Sequence, residues 1–96
     1  MPNPYATGKE LVILGMLRDQ QAGMYGLELV KLSDGKLKRG SIYVELDRLE
    51  DKGFVKWKLK ADYTHPGLPR PIYSITAHGE RALAAAEMMG IQFARM

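Results

Sequence analysis

The chain has 96 residues, no cysteine and a formal net charge of +3. One small domain is expected at this length, and the lack of cysteine excludes disulfide frameworks, thiolate catalysis and cysteine zinc sites. The longest apolar run, Leu11 to Leu17, is far shorter than the roughly 20 residues that span a bilayer, and the N-terminus has no basic and apolar signal pattern, so a cytoplasmic chain with no membrane partner is expected.

The first helix is announced by Thr7 followed three residues later by Glu10, the spacing of a capping box. The run after it, KELVILGMLRD, is apolar on nearly every face, so this helix belongs in the middle of a core or interface. Gln20 to Gly23 is a turn. YGLELVKL then places Tyr25, Leu29 and Leu32 on one helical face, and Ser33, Asp34 and Gly35 end that helix. The third helix lies in LKRGSIYVELDRLEDKG, Leu37 to Gly53. Ile42, Leu46 and Leu49 form its core stripe, while Gly40, Ser41, Val44, Asp47, Arg48 and Asp51 fall on the opposite side. Lys52 in the last turn and Gly53 after it are the stop signal.

A strand follows at once, in which Val55, Trp57 and Leu59 alternate with Lys56, Lys58 and Lys60. Trp57 is expected to face the core with Val55. A turn-prone stretch, Ala61 to Pro69, leads to a second strand from Arg70 to Ile75. Pro71 lacks a backbone donor and so suits an edge strand in a short hairpin. Thr76 is the N-cap expected for a last helix, along which Leu83, Ala86, Met89, Phe93 and Met96 recur at three- or four-residue spacing. The order helix, helix, helix, basic strand, strand is that of a winged helix-turn-helix, whose second paired helix enters the major groove.

Charge supports this placement. Residues 38 to 70 carry eight basic and five acidic side chains, and the segments on either side are each balanced, so the whole surplus of three lies there. Clustered positive charge is the footprint of a polyanion site, although a surplus this small can also be a solvated face.

The stretches ELVILGMLRD, MYGLELVKLSDGKL, RGSIYVELDRLEDKGFV and PRPIYSITAHGERAL together resemble the PadR-like transcriptional regulators over roughly residues 10 to 83. GSIYVELDRLEDKG is the most specific piece. The resemblance implies an α+β, mainly α fold: three helices and a two-stranded β-wing over residues 1 to 75, then a dimerisation helix over 76 to 96. It also implies a dimeric repressor on double-stranded DNA. Lys38 stands where many relatives carry a capping Ser, Pro71 interrupts a strand usually basic at that point, and the last helix is among the shorter forms. Lys38 would leave the helix uncapped, a loss of about 1 kcal/mol, and would set a cation at the positive end of the helix dipole, which a phosphate would relieve.

The residues expected to touch DNA are Lys38, Arg39, Gly40, Ser41, Tyr43, Val44 and Arg48 from the third helix and its lead-in, and Lys58, Lys60 and Arg70 from the wing. A homodimer seam is expected from Leu83, Ala86, Met89 and Phe93 of the last helix with Leu11 and Leu14 of the first. It would set two recognition helices about 34 Å apart on a palindromic operator. No catalytic, cofactor or metal site is expected: His65 and His78 have no ligand-spaced neighbour, and the carboxylates of the third helix alternate with Arg48 and Lys52 as ordinary surface patterning. Met88, Met89 and Met96 are the candidates for an adaptable effector pocket, though methionines so spaced more often pack. The competing reading is a winged-helix module that binds protein and not DNA; salt-dependent retention on heparin or duplex DNA separates the two.

Overall fold

A computed structural model describes residues 5–61 and 67–90. The first helix, α1 (Gly8–Asp19), runs through the centre of the core: Leu11, Ile13, Leu14 and Leu17 are all buried. Its start is built as the capping spacing predicts. The Thr7 backbone N–H and hydroxyl both donate to Glu10 Oε1, at 3.0 and 3.1 Å.

After the turn comes a two-residue strand, β1 (Met24–Tyr25), then α2 (Gly26–Leu32) and α3 (Ile42–Asp51). The hairpin is β2 (Val55–Lys60) with β3 (Arg70–Ile75), and α4 (Ala77–Met88) closes the chain on α1. The sheet therefore has three antiparallel strands in the order β1-β3-β2, not the expected two. Met24 pairs with Tyr73 and Tyr25 with Ile72. Two residues carry no readable alternation, and β1 exists only because β3 offers its free edge. Accordingly the second helix begins at Gly26, with Tyr25 before it as N-cap, and Leu32 is exposed rather than on a core stripe.

Three further expectations change. Pro71 lies in the central strand, but β1 pairs only as far as Ile72, so at Pro71 the strand has β2 on one side alone and needs no second donor. Trp57 is 44% and Leu59 62% exposed. Only Val55 of β2 is buried, because the ribbon runs past the helical layer and both its faces meet solvent. The regular part of α3 starts at Ile42, and the capping position is Ser41, not Lys38. The Lys38 carbonyl accepts from the Ser41 and Ile42 N–H groups in the turn before the helix.

The last helix is seated as its cap predicts. Thr76 Oγ1 accepts from Gly79 N–H at 3.0 Å and donates to the Gly53 carbonyl at 2.6 Å, while Arg18 grips Glu87 through both guanidinium ends at 2.8 and 3.2 Å. That carboxylate, with its hydrogen bond, holds the Arg18 pKa above its ordinary value. Gly79 is needed for closeness, not for its dihedrals. A Cβ there would overlap the Phe54 carbonyl oxygen and lie 2.9 Å from Ile75 Cγ1. Gly79→Ala should thus cost about 1–3 kcal/mol through overpacking, against about 1 kcal/mol gained in helix propensity. A lower melting temperature in a thermal scan is the expected result; an unchanged or raised one would show that α4 can slide without loss.

Candidate nucleic-acid interface

The exposed side of α3 is held by contacts to three elements. Toward α2, the buried Ser33 hydroxyl donates to the Val30 carbonyl at 2.8 Å and accepts from Leu37 N–H at 3.0 Å, so the short connection is pinned at both ends. Asp34 and Gly35 complete it in the left-handed region. The Tyr43 ring lies over the Gly26 backbone, where any Cβ would come within 2.7 Å of it. Toward α1, Lys52 Nζ reaches Glu10 Oε1 at 2.8 Å and the Tyr5 carbonyl at 2.9 Å. Beyond Lys52, Gly53 turns the chain with φ +77° and delivers it into β2.

These contacts leave Lys38, Arg39, Gly40, Tyr43, Val44 and Arg48 in solvent. Ser41 is the exception among the expected contacts of this helix. Its hydroxyl oxygen is buried and has no hydrogen-bond partner among the described residues, because the side chain turns under the helix start instead of outward. Tyr43 is partly committed as well, its ring serving as the spacer between α2 and α3. Asp47, Glu50 and Asp51 share the solvent side with Arg48, so the lead-in at Lys38 and Arg39 is basic and the C-terminal half of α3 is mainly acidic. Burial first, then the Asp47 carboxylate, pushes the Tyr73 hydroxyl above its usual range. It stays a neutral phenol beneath α3.

On the wing, Lys56, Lys58 and Lys60 are exposed, and Lys60 stands directly across from Arg70 in the ladder. Like charges so placed destabilise a strand pair unless an anion joins them. The Arg70 guanidinium sits 4.8 Å from the Tyr25 ring centroid, a cation–π contact that aims it back toward the helices. There it lines an open depression of about 580 Å³ together with Leu27, Glu28, Lys31 and Arg39. Cations from α2, the lead-in to α3 and the wing thus face one concavity. Lys31 and Tyr25 were missed by sequence reasoning: α2 is charge-balanced, and only the fold brings it beside Arg39 and Arg70.

The residues expected at a dimer seam are placed differently. Leu11, Leu14, Leu83 and Ala86 are buried within this one chain, where α1, Phe54 and α4 cover one another. Met89 is 76% exposed, and Phe93 lies outside the described residues, as do His65 and Met96. Beside Met89 an apolar hollow of about 310 Å³ is lined by Tyr5, Phe54, Ala82 and Ala86. His78 packs its ring against Phe54, centroids 4.9 Å apart. Among the described residues no helix is long and apolar enough to cross a membrane, and no group of three or more His, Asp or Glu side chains could hold a metal.

A tight helical pair followed by a two-stranded wing, with basic side chains on both, defines a winged helix-turn-helix protein. The chain belongs to the PadR-like family of transcriptional regulators, whose model matches residues 13–85. Solved structures agree. A candidate transcriptional regulator of Thermoplasma acidophilum is 29% identical over 83% of this chain and 77% of its own, with a TM-score of 0.71. A PadR family regulator of Clostridium difficile is 25% identical over 83% of each chain, TM-score 0.68. Bacillus subtilis PadR, solved in complex with operator DNA, is 26% identical over 82% of this chain but only 46% of its own, TM-score 0.69. Comparison with curated proteins gives no match.

Proposed function

We propose that this chain is a sequence-specific DNA-binding regulator, a repressor that reads a palindromic operator as a homodimer. The α3 face enters the major groove with Tyr43, Val44 and Arg48, joined by Arg39 from the lead-in, and the turn at Lys38 and Gly40 lies against the backbone. Lys58, Lys60 and Arg70 of the wing, with Lys31 of α2, take phosphates. The observation that carries this reading is the single concavity shared by Lys31, Arg39 and Arg70, which joins helix and wing into one basic surface. The relative bound to operator DNA has the same fold.

The dimer is part of the proposal, and its seam is the far end of α4. Met88 and Met89 are exposed there beside the apolar hollow, and the buried Leu11, Leu14, Leu83 and Ala86 support that surface from below. Sedimentation at micromolar concentration tests this directly, and a monomer would overturn it.

Arg48 and Lys58 separate base reading from backbone binding. Arg48→Ala should change base preference, losing about 1–3 kcal/mol at one position if the guanidinium grips a guanine edge. Lys58→Ala should weaken all sequences alike. Selection from a random duplex library with each protein is the measurement. A chain that shows no salt-dependent retention on duplex DNA is instead a protein-binding module using the acidic end of α3.

A further inference from the structure

We propose that Val44 reads the C5-methyl group of a pyrimidine in the major groove, and so is a specificity-determining residue. The inference rests on the DNA-binding reading above and names one chemical group that the surface selects.

Val44 is 52% exposed on α3, where it is the one large aliphatic side chain left in solvent. Side chains on a helix lean toward its N-terminus and cover the turn before them. Ahead of Val44 on that side lies only the lead-in turn, at Gly40 and Ser41. Gly40 has no side chain, and a Cβ built there would meet nothing within 4 Å. The Ser41 hydroxyl oxygen is buried. Neither position therefore offers Val44 any cover. The isopropyl group is therefore an exposed apolar feature at the end of the helix that a recognition helix presents to base edges.

Its chemistry limits what it can recognise. A valine offers no donor or acceptor, and in a helix its β-branched side chain is held in essentially one rotamer. It cannot fold back against the helix, and it would desolvate the polar edge of a purine or an unmethylated cytosine without compensation. The apolar group on the major-groove edge is the methyl of thymine, and 5-methylcytosine presents the same group at the same carbon. Tyr43 beside it is fixed over Gly26, so the surface around Val44 is stiff and the methyl has a defined place to sit.

The test uses duplexes that the wild-type protein selects from a random library. Each thymine is replaced in turn by deoxyuridine and, with guanine opposite, by cytosine and by 5-methylcytosine, at one salt concentration. At one position per half-site, deoxyuridine should weaken wild-type binding about fourfold, the effect of one methyl group removed from apolar contact. At that same position 5-methylcytosine should bind better than cytosine. Val44→Ala, a change at an exposed site, should keep its helix content and salt slope and lose both preferences. Selected duplexes with no deoxyuridine-sensitive position, or a Val44→Ala protein with the sensitivity intact, would overturn the assignment alone. A protein that selects no duplex would overturn the DNA-binding reading with it.

Discussion

Lys52→Ala is expected to lower the unfolding free energy by about 3–5 kcal/mol, the usual result of removing one partner of a buried ion pair. Both side chains are only 7% exposed, and Nζ lies 2.8 Å from Glu10 Oε1. Without the ammonium group, the Glu10 carboxylate is left in the interior with the Thr7 N–H and hydroxyl as its remaining donors, and the Tyr5 carbonyl loses its Lys52 bond. A domain of this size has about 5–15 kcal/mol in all, so the variant should be close to unfolding at 37 °C. Urea titration gives the number. Lys56→Ala, from an exposed site on β2, is the control and should fall within about 0.5 kcal/mol of wild type. A loss below 1 kcal/mol for Lys52→Ala would mean that the pair merely occupies the gap between α1 and α3.

The consequence for function follows from position. Lys52 closes α3 just where the helix hands over to the wing, so a loosened C-terminal end would shift helix and ribbon relative to each other. DNA affinity in Lys52→Ala should therefore fall even at temperatures where the chain remains folded.

The second large effect is expected from the wing. With Lys58, Lys60 and Arg70 all changed to alanine, the slope of log affinity against log salt should flatten by about 2.7, three phosphate contacts at roughly 0.9 each. The fold should persist, because none of the three is buried. The Arg70 to Tyr25 contact that is lost is worth about 0.5–1 kcal/mol, as for a cation–π pair at the surface. Base preference should stay as it was if, as proposed, the ribbon holds the backbone and α3 the bases. An unaltered salt slope in the triple variant would remove the wing from the interface and leave α2 and α3 to bind alone.

Much of this arrangement is legible from consecutive residues. Thr7 with Glu10, Gly53 after Lys52, and Thr76 before α4 each end or begin a helix through contacts within a few residues, so their signals are local and complete. The stripe Ile42, Leu46 and Leu49 identifies the buried side of α3, and the alternating lysines of β2 identify the wing. Ser41 is the local misreading. Its place on the helical wheel is outward, but at a helix start the backbone is not yet helical, and the wheel does not apply to it.

Other features were decided by the tertiary structure alone. β1 forms because β3 has an unpaired edge beside it, and the pairing partner is nearly fifty positions away in the chain. Trp57 and Leu59 alternate as core residues would, yet whether a strand face is covered depends on what packs there, and past Val55 no residue of β2 is buried. The stripe on α4 shows the converse: Leu83 and Ala86 invited a second subunit, and α1 of the same chain already covers them. Glu10 and Lys52 gave only the signals of a helix start and a helix end; 42 residues apart, they become an ion pair once α1 and α3 cross. Periodicity and caps belong to neighbours in sequence, whereas burial and pairing belong to neighbours in space, and a chain this small brings the two sets together only on folding.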